Sequence, residues 1–561
     1  MSSTASTVSG PASSPFAAQL GTNYCPNDDE IVEIKQLIAG PSLRANALGD
    51  EIAALQKRLD VLKSDRDRLL AYVASHKALI SLIRRLPLDI MQEIFVACLS
   101  DRNCVMSATE APVLLGRICS SWRAISLSTP RLWSKLHIAE PRNGNQRSEP
   151  EKWAQRLATA EQWLARSGAC ALSISLECFT AESAAITTIS RLFTHILIPL
   201  ASRWRAVHFS IPFPAIQLLS NLTENDVPLL QDISIAHHAA AHPGILSFVP
   251  PVDMRIFRGL GITRASFQGP AVNRATEFPL RWNQLTALYL QTPVPHMREF
   301  HALSSKSARE ILSRCPSLRV CSIHLRDEED ISLPATGSAI ECPHLHTLEL
   351  LSSLPGDAAY TMRQFFTQGI SLPRLLRFRL NGFVITPIDD HPVYLAPFLA
   401  SAPRLESLRI TPYHLTQDTL VALIRGIPTL KQLYLVDGSD LLDDRFLDGI
   451  TPTDSDDCCR ELRDLVLSQC HFSDAAVLRF INAKMSVGSG HQLECFEANF
   501  QRPIGELDMY AELQLHIDAG LSLRLGYQVP IVGLQRESFS PWQALERNPW
   551  AMDPLDRFAT I

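Results

Sequence analysis

The stretch that decides the fold is "LRDLVLSQCHFSDAAVLRFI", residues 462–481. Its first six residues follow the pattern L-x-x-L-x-L, in which the leucines flanking Val466 point to one side of an extended strand. The second half, "FSDAAVLRFI", has the apolar spacing of an amphipathic helix. One short strand with one helix cannot bury its apolar face alone, so such a unit stacks on further copies of itself.

The same six-residue pattern recurs through the C-terminal part of the chain. Clear copies begin at Leu285, Leu318, Leu345, Leu375, Leu405, Leu430 and Leu462, and weaker ones begin at Trp204, Leu230 and Leu493. From the copy at 285 onward the intervals are 33, 27, 30, 30, 25, 32 and 31 residues. A period near 30 with one strand per unit indicates a solenoid, and the spacing resembles that of leucine-rich repeats. The 55-residue gap before the copy at 285 predicts one irregular unit near "MRIFRG", residues 254–259.

Local signals support the helix-then-strand succession. In "LTQDTLVALIRGIPTL", Thr416 is expected to be the N-cap of a helix. The stretch "ELDMYAELQLHIDAGLSLRL" predicts a closing helix, with Gly520 as its stop, and a last strand. The predicted fold class is therefore an α/β solenoid, leucine-rich-repeat-like, over residues 150–530. An all-α module and an N-terminal coiled-coil helix precede it.

Strand alternation also predicts which residues lie on the concave face of this solenoid. Such a row of outward side chains is where solenoids bind partners, and tyrosine and arginine are favoured at interaction hot spots. Two neighbouring arginines in the row suggest an acidic or phosphorylated target. The alternative is a strand face that is merely solvated. The predicted target-binding residues are Tyr289, His324, Glu349, Arg379, Arg409 and Tyr434, followed in the same row by Val466.

In residues 48–80, apolar residues recur at alternating intervals of four and three positions, which is the pattern of a coiled-coil seam. A Gly-Pro pair at 40–41 is expected to separate this helix from a shorter one. The helix either folds back or packs on its own domain, or it self-associates, which makes a homodimer through residues 48–80 possible. Eight of the ten seam positions are aliphatic: Leu48, Ile52, Leu55, Leu59, Leu62, Arg66, Leu69, Val73, His76 and Ile80.

The segment after the heptads predicts two amphipathic helices and a turn. In "LPLDIMQEIF", Pro87 suits the first position of a helix, which then presents a wide apolar face. A second helix is expected to start near Pro112, to carry "LLGRICSSWRAI" with one shared apolar face, and to stop before Pro130. Trp133 follows that stop, so the chain can turn back and bury both indoles.

These residues resemble an F-box, as found in fungal-type F-box proteins with a C-terminal leucine-rich-repeat-like solenoid. The resemblance covers residues 84–136 and has four anchors: "LP" and "DIMQEIF", then "ICSSWRAI", then "PRLW". It implies a three-helix module that binds the Skp-type adaptor of a cullin-RING ubiquitin ligase. The linker "SDRNCVMSATEAPV", residues 100–113, departs from the family's short connection. The adaptor-facing positions it implies are Leu86, Pro87, Ile90, Ile94, Leu115, Ile118 and Trp122; Ile125, Trp133 and Leu136 are expected to face the core.

Other classes of chemistry find little support in the sequence. The run "HHAAAH" at 237–242 is interpreted as a polar loop rather than a metal site, because no cysteine or carboxylate follows at ligand spacing. The acidic runs at 326–329 and 454–457 lack the alternating ligands and the glycine of a calcium loop. No Walker, nucleophile-elbow or zinc-binding pattern is present, so neither an enzyme nor a cofactor is expected.

Composition fits a protein of the cytoplasm or nucleus. The net charge is −6, no window is apolar enough for a membrane span, and the thirteen cysteines have no disulfide-framework or zinc pattern. Neither nucleic acid nor a membrane is therefore expected as a partner. A disordered tail is predicted at 1–29, a helical coiled-coil segment at 30–82, and a C-terminal tail at 531–561. The expected function is the target-recognition subunit of an SCF-type ligase; the rival is a non-ligase scaffold that self-associates.

Overall fold

A computed structural model describes residues 14–141, 150–178, 183–237, 254–292, 302–325, 340–353, 365–366, 369–383, 395–412, 415–436, 441–452, 459–486, 492–505 and 507–527. The chain separates into two compact units, residues 1–91 and 92–561, with the boundary inside one helix. The tail predicted at 531–561 and residues 1–13 of the tail predicted at 1–29 lie outside the described residues.

The first unit is dominated by one helix, α1 (Asp28–Leu79). The break expected at Gly40–Pro41 is absent: α1 runs through Pro41 as a single 52-residue helix. A proline removes one backbone hydrogen bond, and the good helix formers on both sides keep the helix continuous. A 3-10 turn (Leu82–Arg85) follows, and α2 (Leu88–Ala97) begins one residue after Pro87, which was expected at the first position of this helix.

The second unit starts with short helical elements and continues as alternating helices and strands. The short elements are α3 (Leu115–Ile118), α4 (Ser120–Ser128) and a 3-10 turn (Pro130–Trp133). The later helices are α5 (Pro150–Arg166), α6 (Ser183–Leu192), α7 (Phe213–Ile216), α8 (Ser305–Arg314), α9 (Leu395–Ala400), α10 (Gln417–Arg425), α11 (Asp444–Ile450), α12 (Asp474–Ser486), α13 (Met509–Glu512) and α14 (Gln514–Asp518).

A few shorter connections are also helical. They are the π-helical turn Phe193–Leu197 and the 3-10 turns Ile198–Arg203, Gln217–Asn221, Arg255–Arg258, Pro270–Glu277 and Trp282–Gln284.

Among the described residues of this unit, 14 strands form one parallel sheet in which they follow one another in chain order. They are β1 (Lys135–Ala139), β2 (Leu172–Glu177), β3 (Trp204–Ile211), β4 (Asp232–His237), β5 (Arg264–Gln268), β6 (Ala287–Gln291), β7 (Val320–Leu325), β9 (Thr347–Ser353), β11 (Arg377–Phe383), β12 (Ser407–Ile410), β13 (Gln432–Leu435), β14 (Asp464–Cys470), β15 (Cys495–Phe500) and β16 (Ser522–Tyr527). The remaining strands, β8 (Ile340–Glu341) and β10 (Ile370–Ser371), pair in a separate small sheet. A parallel sheet that adds one strand per unit, with helices between, is an α/β solenoid-like fold.

The core is built from the repeated leucines. Leu288, Leu348, Leu408 and Leu465 are fully buried, and the helix that follows β14 contributes the buried Phe480. The N-cap expected at Thr416 is confirmed, since its side chain accepts a hydrogen bond from the backbone N–H of Thr419. The predicted closing helix, its stop and the last strand are also present, as α13, α14, Gly520 in the left-handed region (φ 111°) and β16.

Several strands lie outside the copies of the leucine pattern: β1, β2, β5, β8 and β10. The irregular unit expected between residues 230 and 285 contains β5, which fills the gap in the period. The sheet also starts earlier than the expected boundary at 150, because β1 pairs with β2. Leu136, expected in the core of the helical module, is buried but lies on β1, the first strand of the sheet.

Candidate interaction surfaces

In the first unit, the apolar seam of α1 is exposed. Each aliphatic seam position of the heptad pattern, such as Ile52 and Leu62, has at least 45% of its side-chain surface exposed. A fold-back of α1 on the preceding segment requires a buried seam, and the continuous α1 of this unit does not show one. The residues expected to bind an adaptor in this unit are likewise exposed: Leu86, Pro87 and Ile90.

In the second unit, the expected adaptor-facing residues divide between surface and core. Ile94 and Ile118 are 37% and 55% exposed, whereas Leu115 is only 5% exposed. Trp122 is half-buried, and its ring stacks at an angle on the buried ring of Phe95, with 4.9 Å between ring centroids. The exposed set therefore excludes Leu115, whose side chain belongs to the core.

This region also contains a break in the helix that the periodicity did not anticipate. A single helix was expected from about residue 112 to 129, but the backbone at Cys119 is extended (φ −157°, ψ 171°) and divides it into α3 and α4. The Cys119 thiol then caps α4 by accepting a hydrogen bond from the backbone N–H of Trp122. The break separates Leu115 and Ile118, which both lie on α3, from Trp122 on α4, so the three side chains do not share one continuous helical face. The predicted stop before Pro130 is confirmed, as α4 ends at Ser128.

Trp133 packs this helical part against the first repeat. Its indole N–H donates to the carbonyl oxygen of Ser126 at 2.8 Å, and its ring meets that of Trp163 edge-on, 4.8 Å between centroids. The guanidinium of Arg166 lies 4.7 Å from the centroid of the Trp133 ring. The expectation that Trp133 is a core residue is confirmed, while Ile125 is half-buried.

The linker at residues 100–113 closes the edge of the sheet. The Cys104 carbonyl accepts a hydrogen bond from the backbone N–H of His137 on β1, at 2.8 Å. Asn103 donates to the hydroxyl of Ser175 at 3.0 Å and accepts from the hydroxyl of Ser173 at 2.7 Å. An uncovered edge strand invites pairing with other chains, so the unusual linker has a structural role in covering β1. No motif or periodicity in the sequence indicates this contact.

The outward row of the sheet is continuous, but one member differs from the prediction. Strand register places Tyr289 beside Ser322, then Glu349, Arg379, Arg409, Tyr434 and Val466. His324, predicted for this row, is two residues further along β7 and lies beside Leu351. Ser322 occupies the row position instead, because it stands between the two core residues Cys321 and Ile323.

The middle of this row is a buried polar network. Glu349 and Arg379 form an ion pair (Oε1 to Nη1, 3.0 Å) with 6% and 2% of their side chains exposed. The Ser322 hydroxyl donates to Glu349 Oε2 at 2.6 Å, and the Gln291 amide donates to Ser322 at 3.1 Å. Arg379 is therefore neutralised by its neighbour on the adjacent strand, which corrects the expectation that it attracts an acidic target.

The predicted target-binding residues differ in accessibility along the row. Tyr289 and His324 are buried, whereas Arg409, Tyr434 and Val466 are half-buried. The Arg409 guanidinium lies 6.0 Å from the centroid of the Tyr434 ring. Burial lowers the pKa of the His324 imidazole to about 4, and the Thr292 hydroxyl lies within hydrogen-bond distance of its Nδ1. Accessible side chains of this row thus start at Arg409.

The described residues hold no candidate metal centre, and several of their cysteines are buried. Within them, no group of three or more His, Cys, Asp or Glu side chains could hold a metal ion, and no cysteine forms a disulfide. Burial raises the pKa of the Cys315 thiol to about 12 and that of Cys104 to about 11, so these thiols are poor nucleophiles. Of the "HHAAAH" run, His237 ends β4; His238 and His242, like the acidic runs at 326–329 and 454–457, lie outside the described residues.

Among the helices of the described ranges, none is both long and apolar enough to cross a membrane. Comparison with known proteins does not identify a family for this chain. No protein-family model matches the chain, and no curated protein sequence matches it.

Proposed function

We propose that the chain is a target-recognition subunit of an SCF-type cullin-RING ubiquitin ligase, acting in the cytoplasm or nucleus. Residues 84–136 form an F-box that binds a Skp-type adaptor, and the solenoid-like sheet is a set of leucine-rich repeats that holds a protein target. The chain contributes no acid, base or nucleophile. It raises the effective concentration of a target lysine near the conjugating enzyme.

The observation that carries the proposal is the exposure of hydrophobic side chains at the positions implied by the F-box resemblance. Leu86, Ile90, Ile94 and Ile118 are all exposed, although each is large and apolar. Soluble proteins leave apolar surface of this kind mainly where a partner covers it. The packing of Trp133 on Trp163 also supports the proposal, because it fixes the helical part of the second unit to the repeats that hold the target.

Adaptor pull-down with the purified full chain tests this function. We expect Pro87→Ala with Ile94→Ala to abolish binding of a purified Skp-type adaptor while circular dichroism stays unchanged. The matched control is Leu229→Ala with Leu260→Ala, two exposed apolar side chains of the repeats, which should bind as wild type does. Retained adaptor binding by the first variant contradicts the ligase function.

A second candidate is a scaffold that self-associates through α1 and binds partners without a ubiquitin link. The exposed seam of α1 favours it, because aliphatic side chains at a and d positions are stable in water when a second helix covers them. The occupant we propose is a second copy of the chain. Light scattering coupled to size-exclusion chromatography tests whether the chain forms a dimer. A dimer that does not bind the adaptor favours the scaffold over the ligase subunit.

A further inference from the structure

Five basic side chains gather at the edge of the sheet where four consecutive strands begin. They precede β7, β9, β11 and β12, and backbone hydrogen bonds stack their positions: the N–H of His346 donates to the Arg319 carbonyl at 2.8 Å, and the N–H of Leu376 donates to the His346 carbonyl at 2.9 Å. We name this group the basic patch; its members are Arg319, His344, His346, Arg374 and Arg404.

The patch carries uncompensated positive charge. Arg319, Arg374 and Arg404 are exposed, and none of the three forms an ion pair with a carboxylate of the described residues. Arg374 Nη1 lies 3.5 Å from His344 Nδ1, so two basic groups meet without an acid between them.

The pKa of the His346 imidazole is affected by the positive charges of the patch. Its pKa is lowered first by partial burial and then by the positive charges of Arg319, Arg374, His344 and Arg404. Next to the patch, at the start of β13, the positive charge of Lys431 is paired with Glu406 at 2.8 Å. The patch is therefore a bounded cationic surface on a chain whose net charge is −6.

We propose that the basic patch binds a short acidic segment of a protein target. Exposed guanidinium groups form paired hydrogen bonds with carboxylate or phosphate oxygens, which gives them both affinity and orientation for such groups. Neighbouring strands are about 4.8 Å apart, so four strand starts span about 14 Å, the length of four or five extended residues.

A protein segment fits this surface better than nucleic acid does. Duplex-binding proteins neutralise roughly 6–10 phosphates, more than three arginines can reach, and the net negative charge of the chain repels a long polyanion. The inference rests on the proposed target-binding role of the repeats. It moves the acid-recognising site from Arg379, which is buried against Glu349, to the edge where the strands begin.

Fluorescence anisotropy with labelled peptides tests the inference on the full chain. The probes are an eight-residue peptide rich in glutamate, the same peptide with two phosphoserines, and a neutral glutamine peptide. We expect saturable binding of at least one acidic probe, a loss of tenfold or more in Arg374→Glu with Arg404→Glu, and weakening by salt. The control, Arg205→Glu with Arg281→Glu, reverses the same charge at two exposed arginines outside the patch and should retain binding.

The two acidic probes distinguish carboxylate from phosphate recognition. Absence of saturable binding to both, or an equal loss in the control variant, overturns the proposal, as does tighter binding of an octameric single-stranded oligonucleotide. Adaptor pull-down is run on the same patch variant. If the patch variant retains adaptor binding but loses peptide binding, the patch is supported. If wild type itself does not bind the adaptor, the ligase proposal fails.

Discussion

The substitution Arg379→Met separates a structural from a target-binding role for the centre of the outward row. The ion pair with Glu349 is almost fully buried, at 2% and 6% exposure, with 3.0 Å between the charged atoms. Removing one partner of a buried pair costs about 3–5 kcal/mol, because the other charge stays buried without compensation. The Ser322 hydroxyl still donates to Glu349, so we expect the lower end, a fall of about 3 kcal/mol in the free energy of unfolding.

Urea unfolding of the full chain, followed by tryptophan fluorescence and circular dichroism, measures this change. The double variant Arg379→Met with Glu349→Leu removes both charges and should recover about 1 kcal/mol or more, since apolar replacements of buried pairs are often neutral. The control is Arg463→Met, because its pair with Glu494 is partly exposed, at 37% and 63%, and should contribute less than about 1 kcal/mol. If Arg379→Met costs no more than Arg463→Met, Arg379 is accessible and its assignment to the core network is wrong.

Three further predictions follow from single side chains. Burial lowers the pKa of His324 from 6.5 to about 4, so the free energy of unfolding is highest above pH 6.5 and falls by about 3 kcal/mol as the pH is lowered to 4. His324→Gln should flatten the profile of urea stability against pH, and an unchanged profile would contradict this assignment. Trp133→Ala should lower the free energy of unfolding by about 3–5 kcal/mol and the half-buried Trp122→Ala by less, so an equal loss in urea unfolding refutes the assignment. Arg66→Ile should raise the melting temperature of the α1 dimer at fixed concentration, because a polar residue at an a position costs stability; a lower value argues against the seam.

The repeats could be read from the sequence because their signals are local. Two leucines around one outward residue define a strand, and a period near 30 residues defines the stack, whatever lies elsewhere in the chain. The N-cap at Thr416 and the stop at Gly520 depend on hydrogen bonds and backbone angles within a few residues, so they too were predictable. The register slip at His324 came from counting one strand two residues too far.

The solvent exposure of the outward residues depends on the tertiary structure. Alternation puts Glu349 and Arg379 on the outer face, but only the pairing of β9 with β11 sets them side by side as a buried ion pair. The extended backbone at Cys119, which divides the expected helix into α3 and α4, has no proline or glycine to mark it. Sequence alone determined the repeat and the hydrophobic face of the helical module, because periodicity acts over neighbouring residues. Exposure depends on residues that are distant in the chain, and therefore only the folded arrangement determined which side chains a partner can reach.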